Sequence, residues 1–208
     1  MPGTEMTPAE RKSLAAVTAE LARLARYDDA SVVHDTWIRH RYDGGYSASY
    51  APARAQVVAT AWHEAGHAVA ALATGARFSS VSVRAGRDSG GRVHAVQPAG
   101  ELAFVIAAAG QIAEGLRAWT LPGSDAELAA WLAGWKDDGG DARAFRRALG
   151  AWSEISAWRH AEALLTPRRL QIRQVARALM AWPRHLPYPV IQAIASGAGA
   201  GPGRSRPG

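Results

Sequence analysis

Two histidines and a glutamate lie together in one short stretch of the chain, AWHEAGHAVA at residues 61–70. On a helix, the four-residue spacing puts His63 and His67 on one face, about 6 Å apart at Cβ, where both imidazoles can bind one metal ion. Glu64 lies about 100° further round the helix, close enough to take a proton from a water on the ion and pass it to a leaving amine. This pattern predicts a metal-dependent hydrolase.

A buried helix whose histidines are satisfied by neighbouring groups is the alternative interpretation of the same stretch. In a chain of this composition, a His-Glu-x-x-His string arises by chance about once in a hundred sequences. Gly66 lies in the middle of the predicted helix, where it costs about 1 kcal/mol relative to alanine. This cost indicates that another backbone, or a substrate, approaches the helix closely at that point.

A catalytic zinc site also needs a third protein ligand and an open position. The common extension His-x-x-Gly-x-x-His is absent, because Ala70 and Ala73 occupy the required places. Glu101 and Glu114 are the acidic candidates on a nearby predicted helix. From the residues alone, the identity of the third ligand stays open.

The composition limits both the metal ligands and the class of protein. The 208 residues include no cysteine, so a metal would be held by His, Asp and Glu, and disulfides are excluded. The first residues lack the layout of a signal peptide. The most apolar later run, LAFVIAAAGQIA, is too short to span a bilayer. We therefore expect a soluble, cytoplasmic protein that does not contact a membrane.

The net charge of +6 comes from the last quarter of the chain. Residues 1–150 contain 16 Lys and Arg against 16 Asp and Glu, whereas residues 151–208 contain 8 against 2. A basic stripe can bind nucleic acid, but a solvated helix face rich in arginine is the commoner reason for such a pattern. Binding of nucleic acid is therefore not expected.

The periodicity of the chain predicts a mainly α fold, of the α+β type, with one small antiparallel hairpin. Thr7, Pro8 and Glu10 form a capping box that begins a helix over residues 8–26. Residues 27–55 are interpreted as a connector. The motif helix covers residues 56–74 and ends at Gly75, and the hairpin follows around an Asp-Ser-Gly-Gly turn at residues 88–91.

Further helices are predicted in the second half of the chain. Their ranges are 101–119, 125–135, 142–165, 168–182 and a short helix from residue 189. The domain organisation is then an N-terminal helix and connector over 1–54, a catalytic domain over 55–195 and a disordered tail over 196–208. Seven tryptophans on the helices are interpreted as core residues: Trp62, Trp119, Trp131, Trp135, Trp152, Trp158 and Trp182.

Several segments resemble the peptidase domain of the FtsH-type zinc metallopeptidases. AWHEAGHAVAAL is similar to the motif of that family, FSSVSVRAG to the strand that follows it, and AAAGQIAEGL to its Gly-Gly-Arg-x-Ala-Glu segment. DDGGDARAFRRAL resembles the segment that contains Asn-Asp-Leu, and AEALLTPRRLQIRQVARALMAW resembles the closing helix pair. The resemblance spans residues 55–195 and implies a zincin-like helical peptidase domain that binds Zn²⁺.

The same resemblance implies the third ligand. In that family the Asp of the Asn-Asp-Leu segment binds the zinc, nearly eighty residues after the first His. Asp141, 78 residues after His63, is the matching residue, with Asp137 and Asp138 as rivals. The chain lacks the Gly-x-x-x-x-Gly-Lys-Ser/Thr string of the family's ATPase module, so a separate ATPase is a possible partner.

We therefore predict a stand-alone zinc metalloendopeptidase that hydrolyses unfolded or flexible polypeptides, with Glu64 as general base and His63, His67 and Asp141 as ligands. The alternative function is a non-catalytic, metal-stabilised binding module that uses its basic C-terminal helices, although such a module needs no general base. An intramembrane metallopeptidase is a weaker alternative, because no other segment could span a bilayer. Glu114 is a candidate partner of a ligand histidine, and His94 is interpreted as a half-exposed strand residue.

Overall fold

The fold consists mainly of helices around a small antiparallel sheet. The computed structural model describes residues 5–40, 50–84, 90–94, 96–97, 100–136, 140–182 and 185–197. Within these ranges the helices are α1 Pro8–Arg23, α2 Asp29–His40, α3 Tyr50–Thr74, α4 Ala103–Ala118, α5 Asp125–Gly134, α6 Asp141–Ala148, α7 Glu154–Leu165, α8 Arg169–Ala181 and α9 Tyr188–Ala195. The strands are β1 Ser80–Arg84, β2 Gly90–His94 and β3 Leu186–Pro187. The predicted mainly α fold with a small antiparallel sheet is confirmed.

The N-terminal part of the chain contains one helix more than predicted. The capping box of α1 is confirmed, since the Thr7 backbone N–H donates to Glu10 at 2.7 Å and the Glu10 N–H donates to Thr7 Oγ1 at 3.2 Å. The connector over residues 27–55 is wrong for residues 29–40, which form α2. Val32 and Val33 of α2 are fully buried. Burial of such β-branched side chains outweighs their weak helix propensity.

Helix α3 carries the His-Glu-x-x-His motif and forms the centre of the core. It begins at Tyr50, six residues before the predicted start, and the left-handed Gly75 (φ 75°) follows its end. The helix packs against α4, α8 and the sheet. At Gly66 the helix has no room for a side chain, because a Cβ atom there would overlap the carbonyl oxygen of Ala109 on α4. The predicted close approach at Gly66 is therefore confirmed.

The sheet has the strand order β2-β1-β3, with both pairs antiparallel. Val81 in the middle strand pairs with Val93 on one side and with Leu186 on the other. The predicted hairpin is confirmed, although residues 88 and 89 of its turn lie outside the described residues. Strand β3 was not predicted, because a two-residue strand is too short to show alternation.

The second half of the chain contains two helices where one was predicted over residues 142–165. Helix α6 ends at Ala148, and the left-handed Gly150 (φ 55°) breaks the periodicity. Ser153 then caps α7 by accepting a hydrogen bond from the Ser156 N–H at 3.1 Å. The other predicted helices are confirmed to within a few residues at each end. Residues 198–208, most of the predicted disordered tail, lie outside the described residues.

Five of the seven tryptophans pack as predicted, and two do not. Trp62 and Trp158 are buried, Trp131 and Trp135 form an aromatic cluster with Trp158, and Trp182 packs against the core. Trp119 is 76% exposed and Trp152 is 40% exposed, so their interpretation as core residues is wrong. Trp119 follows the end of α4, and its ring lies under the guanidinium of Arg169.

Replacing Gly66 by alanine should destabilise the protein by about 1–3 kcal/mol, because the added methyl group forces α3 and α4 apart. Gly134→Ala is the matched control, since nothing lies within 4 Å of a Cβ atom there. It should stabilise the protein by up to about 1 kcal/mol through helix propensity. Urea unfolding of both variants measures the difference. Equal stability changes would contradict the backbone contact at Gly66.

Candidate metal centre

His63 and His67 project from the same face of α3 and meet at their Nε2 atoms. The two Nε2 atoms are 3.0 Å apart, and the rings cross edge to face at a centroid distance of 4.7 Å. His67 is buried, and His63 is partly buried. The helical spacing therefore brings the two imidazoles together as the sequence predicted.

Asp141, the first residue of α6, completes a cluster with the two histidines. Its Oδ2 atom lies 2.9 Å from His63 Nε2 and 3.2 Å from His67 Nε2. A helix N-terminus favours a carboxylate, because the unpaired N–H groups carry partial positive charge. In the described part of the chain, this trio forms the one group of three or more metal-ligating side chains close enough to hold an ion.

The donor set fits a zinc ion. Two imidazole nitrogens and one carboxylate oxygen are ligands that zinc prefers, and three protein ligands leave one position open for water or substrate. Ligand atoms in a tetrahedral zinc site lie about 3.4 Å apart. The three atoms here are 2.9, 3.0 and 3.2 Å apart, so a small outward shift of the side chains would accommodate the ion.

Hydrogen bonds on the far side of each ring select the atom that faces the centre. His63 Nδ1 lies 2.7 Å from Glu114 Oε1, and His67 Nδ1 lies 2.7 Å from the carbonyl oxygen of Ile106. Both partners accept hydrogen bonds, so Nδ1 is the protonated nitrogen of each ring. Each Nε2 is then directed at the centre, an arrangement typical of metal-binding histidines. Glu114 thus has the position that was considered for it as a partner of a ligand histidine.

Gly110 on α4 makes room for the ring of His63. A Cβ atom at this position would overlap the His63 imidazole. Gly110 follows Ala109, whose carbonyl oxygen contacts Gly66. The same close approach of α3 and α4 therefore packs the core and seats the first histidine. The role of Gly110 was not predicted from the sequence, since a glycine within a helical pattern indicates close packing but not the partner.

Glu64 is only 6% exposed and lies between the centre and strand β2. A Cβ atom at Gly91 would overlap its side chain, so the strand passes directly over the carboxylate. Burial raises the pKa of Glu64, while the imidazoles of His67 and His63 and the Val93 backbone N–H act in the opposite direction. A carboxylate with a raised pKa is better suited to accept and return a proton near neutral pH.

The charges within the cluster shift the pKa values of His63 and Asp141 in opposite directions. Burial disfavours the charged form of His63, but hydrogen bonds to Asp141 and Glu114 outweigh it and raise the pKa to about 10. Burial also opposes ionisation of Asp141, yet its contacts with the His63 and His67 rings hold its pKa well below the usual range. The cluster therefore carries an ionised Asp141 beside a protonated His63 when no other cation is present.

An open groove of about 950 Å³ leads to the cluster. His63, Glu64 and Asp141 line it. Gly90 and Gly91 of β2 also line it, together with Trp131, Trp135 and Lys136 at the end of α5. An extended chain can therefore reach the three ionisable side chains from solvent.

Several other candidates from the sequence lie away from the centre or cannot be placed. Glu101 is exposed on the 3-10 turn that precedes α4. His94 is partly buried on β2, bonds to Ser82 Oγ at 2.9 Å and packs against His185. The rivals Asp137 and Asp138 lie outside the described residues.

Arginines of the basic C-terminal region bind other parts of the protein. Arg177 donates to the carbonyl oxygens of Leu24 and Tyr27 and pairs with Asp29. Arg159 pairs with Asp125. Arg169 donates to the Leu116 carbonyl oxygen of α4, and Arg168 donates locally to the Leu164 carbonyl oxygen. Arg159, Arg169 and Arg177 thus link segments of this protein, while the absence of nucleic-acid binding stays a prediction.

The fold and the site define a mainly helical protein with the His-Glu-x-x-His and aspartate arrangement of a metallopeptidase. The model of a family described as Peptidase M50B-like matches residues 40–124, less than half of the chain. No curated protein matches the chain, and no solved structure matches it. The family match supports a metallopeptidase.

The family match corrects the branch that the sequence resemblance named. M50 peptidases are of the site-2 protease type, so the FtsH-type assignment is wrong. The shared His-Glu-x-x-His helix explains the error, because the same short motif serves in several metallopeptidase families. Among the residues placed by the structure, no helix has the length and apolar character needed to cross a membrane.

Zinc binding to protein stripped of metal by a chelator should release about one proton at pH 7.5, because His63 with a pKa of about 10 must lose a proton to bind. If one proton is released, the affinity for zinc should fall about tenfold with each pH unit below neutrality. Calorimetric titrations in buffers of different ionisation enthalpy measure the proton. Binding enthalpies that do not depend on the buffer would show that His63 is neutral before zinc binds.

Proposed function

We propose that the protein is a zinc-dependent endopeptidase whose ion is held by His63, His67 and Asp141. The observation that carries the proposal is the meeting of the two Nε2 atoms and Asp141 Oδ2 within 3.2 Å of one another. The bonds from the Nδ1 atoms to Glu114 and to the Ile106 carbonyl oxygen support it, because they reserve both Nε2 atoms for an ion.

Glu64 is the general base of the proposed reaction. A bound zinc ion supplies Lewis acidity, which polarises the substrate carbonyl and makes water a nucleophile at neutral pH. The Glu64 carboxylate accepts the proton of the attacking water and returns it to the amine of the broken peptide bond. Its burial under Gly91 keeps bulk water away, and its contact with the groove gives it access to the substrate.

Unfolded or flexible polypeptides are the proposed substrates. Within the described sheet, β2 is an outer strand with β1 on one side only. Its Gly90 and Gly91 line the groove, and the absence of side chains there leaves the backbone accessible. An extended peptide can add to this edge through main-chain hydrogen bonds. Recognition of this kind tolerates many sequences and requires a segment that is already extended.

The proposal includes a separate ATPase as the partner that delivers extended chains to this groove. The cytoplasmic location stays a prediction.

The alternative function, a non-catalytic binding module, is less well supported. A structural metal site has no use for the buried Glu64, and Arg169 and Arg177 of the basic C-terminal region bond to other segments of the protein.

Glu64→Gln should lower the hydrolysis of an unfolded protein such as casein by at least a thousandfold while the bound zinc is retained, because the amide keeps the shape but cannot accept the proton. Release of fluorescent peptides and metal analysis of the same sample measure both effects. Glu101→Gln, on the exposed turn before α4, is the matched control and should leave both unchanged. Undiminished hydrolysis by the Glu64 variant would exclude this residue as the base.

Asp141→Ala should weaken zinc binding by more than tenfold, since it removes one of three ligands. Asp125→Ala is the matched control, because Asp125 also begins a helix but lies in α5. Asp137→Ala and Asp138→Ala should likewise have little effect. Competition with a chromophoric chelator measures the affinities. A strong loss of zinc affinity in the Asp138 variant, with none in the Asp141 variant, would show that Asp138 and not Asp141 is the third ligand.

A further inference from the structure

One flank of α5 forms part of the lining of the groove. The lining residues of this helix are called here the aromatic wall: Ala130, Trp131, Gly134 and Trp135. Residues with this spacing share one side of a helix. Leu128 and Leu132, on the adjacent side of α5, are buried in the core. The helix therefore packs with two tryptophans at the surface of the groove.

The aromatic wall lies beside the candidate metal centre. The centroids of the Trp135 and Phe145 rings are 5.6 Å apart. Phe145 follows Asp141 by four residues on α6, so the two residues share a face of that helix about one turn apart. A substrate whose cleaved bond lies at the centre therefore has a neighbouring side chain within reach of the aromatic wall.

The rings of the aromatic wall are supported from behind but are not fully covered. Trp131 and Trp135 pack on each other, with centroids 5.3 Å apart, and both pack on the ring of Trp158. Both nevertheless remain partly exposed. Open space lies at Gly134, since nothing is within 4 Å of a Cβ atom there. An apolar side chain that enters this space removes indole surface from water, which favours binding.

The charges of the groove do not select a charged side chain. Three carboxylates and one amine belong to the described lining residues: Glu64, Glu114, Asp141 and Lys136. With one zinc ion bound, the three negative charges balance the two positive charges of the ion and the one of Lys136. A charged substrate side chain therefore gains no net attraction, yet it loses hydration against the indole rings. An apolar side chain has no such cost.

We propose that the aromatic wall is the side-chain subsite of the groove and selects a large apolar residue, such as phenylalanine or leucine, next to the cleaved bond. Gly90 and Gly91 of β2 offer only backbone to a substrate, so the choice among side chains falls to α5. Large apolar residues are buried in folded proteins and accessible in unfolded ones. This inference rests on the proposed peptidase function and gives it a substrate class.

Cleavage-site mapping on unfolded casein by mass spectrometry is the first part of the test. Large apolar residues should be enriched at one fixed position beside the cleaved bonds. Peptides that differ only at this position, with phenylalanine, leucine, alanine, lysine or glutamate, then give kcat/KM values. Phenylalanine and leucine should exceed alanine by more than about tenfold, since alanine leaves the rings uncovered. Lysine or glutamate as the best residue would overturn the inference, because charge would then decide the selectivity.

Filling the space at Gly134 tests the aromatic wall itself. Gly134→Leu places a side chain beside the two rings, so it should lower kcat/KM for the phenylalanine peptide more than about tenfold and hardly change the alanine peptide. Ala133→Leu is the matched control and should leave both values unchanged, because Ala133 is exposed and is not a lining residue. Equal effects of Gly134→Leu on the two peptides would overturn the assignment of the subsite to α5.

Binding to the Glu64→Gln protein separates this inference from the proposed function. Its affinity for the uncut peptides, measured by fluorescence anisotropy, should be highest for phenylalanine and leucine and should lose this preference when Gly134→Leu is added. Equal affinities and equal kcat/KM values for all the peptides, with hydrolysis that still depends on Glu64, would overturn the subsite and leave the peptidase intact. Hydrolysis that is absent or independent of Glu64, with the affinity order retained, would overturn the peptidase function alone.

Discussion

The backbone contact between α3 and α4 at Gly66 is the constraint on which the site depends. The Ala109 carbonyl oxygen occupies the space of a side chain at Gly66. At this separation Gly110 accepts the His63 ring, and Glu114 and the Ile106 carbonyl oxygen come within 2.7 Å of the Nδ1 atoms. A wider spacing of the helices would lose these hydrogen bonds together with the packing. The interface between α3 and α4 therefore forms part of the core and also positions the site. A cavity or a steric overlap in this interface changes both.

The candidate metal centre combines residues from distant parts of the chain. His63 and His67 come from the middle of a buried helix, whereas Asp141 comes from the first turn of α6, which packs on α4. Strand β2 closes the other side by placing Gly91 against Glu64. Rigid elements hold all four ionisable side chains, and such support is what positions catalytic groups accurately.

The Peptidase M50B-like match includes both histidines and Glu64 of the site but not its aspartate. The Peptidase M50B-like match ends at residue 124, before Asp141. The resemblance that pointed to Asp141 named a different branch, yet the structure places this residue against both histidines. A helix with two histidines needs a third donor from elsewhere in the fold, and a carboxylate at a helix N-terminus can supply it in unrelated branches. The spatial position of Asp141 thus supports its proposed role independently of the branch.

Local patterns were enough to predict the elements that depend on neighbouring residues. The capping box of α1, the end of α3 at Gly75, the hairpin and the pairing of His63 with His67 follow from spacings of two to four residues. The break between α6 and α7 was missed although Gly150 and the Ser153 cap mark it locally, and α2 was missed because burial decides the outcome where helix propensity is weak. Trp119 was placed wrongly for the same reason, since periodicity does not show which helix face remains uncovered.

The tertiary structure alone decided the contacts between distant residues. The pairing of Glu114 with His63, the burial of Glu64 under Gly91 and the position of Gly110 under an imidazole each join elements far apart in the chain. The cluster of Trp158 with Trp131 and Trp135 also depends on how α7 packs. The sequence by itself determined which chemistry was available, since its residue types and local spacings specify the ligands and the base. Only the packing of the helices decided which groups meet, because distances across the core depend on the whole set of contacts rather than on any local pattern.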